Sequence, residues 1–117
     1  MIECRPATAE DIRAFYGEPQ RATMRAMAML IDGRVVALAG LARFPGFQWF
    51  FSEIRPEARG RLKCVTVIRH LLAVADWFKD VRVPILAEAT ADEPGAEKLL
   101  ERLGFVRKYG RLFRWQF

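Results

Sequence analysis

Apolar residues along this chain follow two rhythms, one alternating or continuous and one helical, and turn residues separate the stretches. Ile2-Glu3-Cys4-Arg5 alternates like a short strand and stops at Pro6. Thr8-Ala9-Glu10-Asp11 is close to a capping box, and Ile12, Phe15 and Tyr16 follow at helical spacing until Gly17, which predicts a short helix. From Gly17 to Met24 the chain reads as loop. Met27–Ile31 and Val35–Ala39 flank Asp32-Gly33, a strong two-residue hairpin signal. Pro45-Gly46 marks the next turn, and Phe47–Ile54 forms an aromatic strand.

The longest helical period comes next, with Val65, Ile68, Leu71, Leu72, Ala75 and Phe78 on the predicted inner face. Lys63, Thr66, Arg69, His70 and Lys79 fall on the other faces, so His70 is expected at the surface or at an interface. Arg82–Ala89 reads as a buried strand with Pro84 near its start. Asp92-Glu93-Pro94 opens a last helix with Pro at its first position, an apolar stripe at Ala96, Leu99, Leu100 and Leu103, and a stop at Gly104. A hairpin through Tyr109-Gly110 ends the chain. The order predicts an α+β fold, a mixed and mostly antiparallel sheet flanked by about three helices.

The stretch Ser52 to Lys79 organises the rest. Its aromatic strand passes through Ile54-Arg55-Pro56-Glu57-Ala58-Arg59-Gly60-Arg61-Leu62-Lys63-Cys64 into the central helix. Arg59, Arg61 and Lys63 gather where unpaired backbone N–H groups and the helix dipole favour an anion, so a phosphate-bearing ligand is expected there. The alternative for such a cluster is a solvated turn.

This strand, basic turn and helix resemble the GNAT acyltransferases, in which a Pro-containing turn leads into Gln/Arg-x-x-Gly-x-Gly/Ala, whose amides hold the pyrophosphate of acetyl-CoA. Ile54, Pro56, Arg59 and Gly60 keep the pattern; Leu62 and Cys64 stand where glycine, or glycine and alanine, are usual. Ala96-x-x-Leu99-x-x-x-Leu103-Gly104-Phe105 is similar to a second family segment, and Ile2 to Ile12 to the usual opening. The short loop after Gly17 leaves little room for a second early helix. The resemblance implies acetyl-CoA as cofactor, bound by Ile54, Arg59, Gly60, Arg61, Leu62, Lys63 and Cys64, and a small-molecule or protein amine as acceptor. It places Leu100 where the family's proton-donating tyrosine commonly stands.

The 117 residues, 52% hydrophobic and 28% charged, make one domain, large enough to bury roughly two-thirds of its unfolded surface. The net charge of +5 rests mainly on arginine, which suits carboxylate and phosphate. Two distant cysteines, no leader-like start and no apolar run of membrane-spanning length predict a reduced, cytoplasmic protein with no membrane partner. A lone His without a Cys/His/Asp cluster predicts no metal.

Glu53 and Glu88, near strand ends, are the candidate general bases, with a solvated acid or an ion pair as the alternative role. Tyr16 or Tyr109 is a substitute proton donor only if folding brings it to the site. Cys64 is a thiol of lowered pKa or a small packing residue. Phe47, Trp49, Phe50 and Phe51 are expected in the core and on the sheet, and Trp115 and Phe117 in a strand that pairs in a homodimer. Nucleic acid is not the expected partner, because basic and aromatic residues appear without an RNP-like run. Two readings follow: an acetyl-CoA-dependent N-acetyltransferase, and a GNAT-like domain without catalysis, a structural or interaction protein of the kind phages and prophages encode, which Leu62, Cys64 and Leu100 favour.

Overall fold

In a computed structural model, which describes residues 2–18, 20, 23–61, 64–89 and 95–115 except the side chains of Arg59, Arg61 and Cys64, the elements follow the expected order. They are β1 (Ile2–Pro6), α1 (Ala9–Tyr16), β2 (Thr23–Ile31), β3 (Arg34–Phe44), β4 (Phe47–Ile54), a 3-10 helix (Pro56–Arg61) and α2 (Cys64–Ala75). A second 3-10 helix (Phe78–Asp80), β5 (Ile85–Glu88), α3 (Ala96–Arg102), β6 (Phe105–Tyr109) and β7 (Leu112–Trp115) complete the fold. The strands make one sheet in the order β1-β2-β3-β4-β5-β7-β6.

Local signals explain most boundaries. Thr8 Oγ1 accepts the Asp11 N–H and the Asp11 carboxylate accepts the Thr8 N–H, a closed capping box, and Gly17 ends α1 at φ 80°. Asp32 and Gly33 take φ 50° and 83°, the left-handed pair that a type I′ hairpin needs. Both strands of that hairpin are longer than the apolar runs that announced them, because β2 continues back to Thr23 and β3 on to Phe44. The start of the last helix at Asp92-Glu93-Pro94 lies outside the described residues, and α3 itself opens behind Gly95.

The sheet is covered on both faces. Against one face, Leu71, Val74 and Phe78 from the central segment and Leu100 and Leu103 from the α3 end meet Leu41, Phe50, Phe105 and Phe113. Phe78 lies edge-on to Phe50, Phe105 and Trp115 at 5.3–5.6 Å. Against the other face, Ile12, Phe15 and Tyr16 of α1 meet Ala28, Leu30, Leu38 and Phe51.

Two expectations are corrected. α2 is apolar nearly all round, so spacing did not fix its phase: Val67, Leu71, Val74 and Ala75 face the core, while Val65 and Leu72 stay 60% and 51% exposed. The same rotation turns His70 inward to 3% exposure, under β1, rather than leaving it at the surface. β7, the last strand, is paired on both sides, with β5 and β6, so the free edge at that end is β6. Trp115 is half-buried, its indole N–H donating to the Leu103 carbonyl, and Phe117 lies outside the described residues.

Candidate active site

The parallel pair β4 and β5 is joined through two register positions, Gln48 with Ile85 and Trp49 with Leu86. Beyond them the strands part. Ala87 and Glu88 of β5 pair with Phe113 and Leu112 of β7, whereas β4 runs on to Ile54 paired with β3 alone among the described residues. The backbone edge of β4 from Phe50 to Ile54 is thus open inside the sheet, with N–H and C=O groups available to an extended ligand.

A cleft of about 340 Å³ fills this opening. Leu71, Leu99 and Leu100 wall it on the α2 and α3 side, and Phe51 and Glu53 on the α1 side, so it passes from one face of the sheet to the other. Strand alternation explains the division: Phe50 enters the core beneath α2, and Phe51 packs toward α1, with Glu53 following it. The cleft brings the adjacent candidates Glu53 and Ile54 of β4 together with Glu88 of β5, far off in sequence, and sets Leu100 in their wall.

Tyr16 reaches the same region from α1. Burial first, and then the nearby Glu53 carboxylate to which its hydroxyl donates, push its pKa well above the usual phenol value. The tyrosine therefore stays protonated and orients the acid. Tyr109 lies on β6 at 83% exposure and does not line the cleft.

The basic segment leaves β4 at its open end. Arg59, Gly60 and Arg61 lie in the first 3-10 helix, and α2 begins at Cys64. Leu62 and Lys63 lie outside the described residues, as do the side chains of Arg59, Arg61 and Cys64. Gly60 is exposed, and a Cβ there would meet nothing within 4 Å.

One arginine of this segment was not singled out by its spacing. Arg55, just past β4, donates from its guanidinium to the carbonyls of Val35, Ala14 and Phe15 and lies 4.7 Å from the Phe15 ring centroid. It ties the end of α1 to the exit of β4, next to the acid-bearing part of the cleft. A lone arginine before proline carries no sequence signal for such a role, because its partners are main-chain carbonyls 20 to 41 residues away.

No protein-family model matches the chain, and no curated protein sequence matches it. Solved structures do. The ribosomal-protein-S18-alanine N-acetyltransferase of Escherichia coli aligns with TM-score 0.66 and 17% identity over 97% of this chain and 91% of its own. The protein yncA of Salmonella typhimurium, assigned as an acetyltransferase and solved with its cofactor acetyl-CoA, aligns with TM-score 0.65 and 13% identity over 97% and 89%. A protein from Desulfovibrio desulfuricans assigned to the GNAT acetyltransferases aligns with TM-score 0.60 and 13% identity over 97% and 98%. The chain has the fold of the GNAT acetyltransferases.

Proposed function

We propose that the protein is an acetyl-CoA-dependent N-acetyltransferase acting on a small-molecule or protein amine. The observation that carries this reading is the parting of β4 and β5, which leaves an open strand edge beside a cleft that holds two carboxylates. An extended pantetheine arm can pair with that edge up to Ile54. Its pyrophosphate would meet the amides from Arg61 to Cys64 and the side chains of Arg59 and Lys63. When bound, acetyl-CoA supplies an activated acyl carbonyl. The carboxylate of Glu53, held by Tyr16, takes the proton that the acceptor amine loses as its nitrogen bonds to that carbonyl carbon, directly or through a water. Glu88, across the cleft, is the second candidate for this task. Leu100, in the cleft wall, has no proton to give a departing sulfur, so that group would have to leave as thiolate, which is tolerable at an ordinary thiol pKa of about 8.5.

A second reading is favoured by Leu100 itself. It is 6% exposed, in the cleft wall, at the position where a proton donor is expected, and an apolar wall there also suits a domain that keeps the fold without catalysis.

Calorimetric titration with acetyl-CoA and CoA, with thermal unfolding alongside, tests the first reading. Ligand at about 100 times its dissociation constant adds roughly 2.7 kcal/mol and should raise the midpoint by roughly 10 °C. Arg59→Ala and Lys63→Ala should weaken binding, and Leu62→Gly should strengthen it. No heat and no shift at millimolar ligand would leave the second reading.

A further inference from the structure

A second cavity, of about 470 Å³, shares no lining residue with the cleft. Its size lies within the roughly 300–1,000 Å³ of small-molecule sites. Four charged side chains line it, Arg25, Arg43, Arg82 and Asp80, leaving a net of two positive charges. Strand register explains why two of the arginines converge. Arg43 stands opposite Thr23 and Arg25 opposite Leu41, so both project with Leu41 onto the face covered by α2, on a cross-strand diagonal. Arg82 comes from the link that enters β5.

Like charges on such a diagonal repel unless something neutralises them. Arg25 is placed by stacking on Trp77, its guanidinium carbon 3.9 Å from the ring centroid. Among the described residues neither Arg43 nor Arg82 pairs with a carboxylate, and both are exposed. Planar groups complete the cavity: Trp77, and the Phe44 and Phe47 rings stacked 5.2 Å apart at 11°.

We propose that this cavity binds a nucleoside monophosphate unit, its phosphate held by Arg43 and Arg82 and its base against the aromatic side chains. A phosphomonoester carries about −1.5 to −2 charges at neutral pH, which matches the surplus here, and guanidinium forks grip its oxygens in pairs. Aromatic faces stack any base, so base identity matters little. The same chemistry is offered by a free nucleotide and by the phosphorylated end of a single strand. A phosphodiester inside a strand carries one charge per phosphate and matches less well. The site is independent of whether the cleft binds acetyl-CoA.

The test is a titration of the full chain with AMP, inorganic phosphate, adenosine and a 5′-phosphorylated single-stranded oligonucleotide, read by calorimetry and by the tryptophan indole N–H resonances. AMP is expected to bind saturably, at least about tenfold more tightly than phosphate or adenosine alone, since each contributes one of two contacts. The Trp77 resonance should move and that of Trp49, in the cleft, should not. Arg43→Ala with Arg82→Ala should lower AMP affinity by on the order of a hundredfold, about tenfold for each charge-assisted contact, with the unfolding midpoint unchanged. An oligonucleotide that binds more tightly than AMP supports the site with a strand end as its ligand; one that binds less tightly supports it with the free nucleotide. AMP that binds no better than phosphate overturns the proposal. So does binding that moves Trp49 and not Trp77, or that survives the double substitution.

Discussion

The Cys4 sulfur lies 3.3 Å from His70 Nδ1, a contact between the edge strand β1 and the buried side of α2. His70 Nε2 is buried with no hydrogen-bond partner among the described residues. If the thiol donates to Nδ1, the ring proton sits on this orphan nitrogen; if Nδ1–H points at sulfur, Nε2 is a bare acceptor. In both tautomers the ring is neutral and poorly solvated, and burial pushes its pKa down to about 4. Burial likewise pushes the Cys4 thiol up, so the two form a neutral pair and not a thiolate with an imidazolium.

A pH dependence follows. Unfolded, His70 titrates near 6.5; folded, near 4. Between these values the unfolded chain takes up a proton that the folded chain refuses, so stability falls as the pH falls through this window. The loss approaches about 3 kcal/mol, and above the window it vanishes. Urea midpoints of the wild type and His70→Leu between pH 4 and 7.5 check this. The difference between the two profiles should change steeply from 6.5 downward, and parallel profiles would contradict a buried neutral ring.

Gly40 of β3 faces Ala26 of β2, and a Cβ on it would lie 2.1 Å from the Arg25 carbonyl oxygen and 2.7 Å from the Ala26 Cα. Both are main-chain atoms of a central strand, so no side-chain rotation relieves the clash. Gly40→Ala should cost about 3 kcal/mol or more. Gly60→Ala, with open space around it, should change stability by roughly 0.5 kcal/mol or less. Denaturant unfolding of the two variants gives the comparison, and equal midpoints would refute the close approach of β2 and β3.

Arg55→Ala releases three carbonyls at once, two of them at the end of α1. A loss of about 2 kcal/mol is expected, with faster amide exchange in α1 than in β3. Arg55→Lys should recover less than half of it, because one ammonium on a flexible stem cannot reproduce the fork. Full recovery by lysine would mean that charge alone, and not geometry, holds α1.

How legible all this was in the sequence varies by signal. Turn chemistry travelled well: Asp32-Gly33, Pro45-Gly46, Gly17 and the Thr8 to Asp11 box each marked a real boundary, since a left-handed residue or a cap is a local requirement. The phase of α2 was illegible because Val65, Val67, Ile68, Leu71, Leu72 and Val74 leave hardly a polar stripe, and packing against β2 and β3 decided which side went inward. For the cleft, residue type and position near strand ends brought out Glu53 and Glu88, yet their meeting depends on where β4 and β5 stop pairing. The α1 contacts of Tyr16 and Arg55 are long-range and left no periodic trace.

The Tyr16 and Glu53 pair gives the sharpest test of acyl transfer. Should acetyl-CoA bind, Glu53→Gln keeps the shape and hydrogen-bonding capacity of the side chain but cannot take the amine proton. Turnover should fall by on the order of 10²–10⁴ while acetyl-CoA affinity is retained. Tyr16→Phe removes the hydroxyl that orients the carboxylate and leaves its charge. A smaller loss, on the order of tenfold in kcat, is expected, as for one hydrogen bond to a charged group worth about 1.5 kcal/mol. Combining the two should cost little more than Glu53→Gln alone, because the tyrosine acts through the acid. Independent losses would instead place the Tyr16 hydroxyl on the substrate, and an unchanged rate in Glu53→Gln would transfer the base to Glu88, across the same cleft.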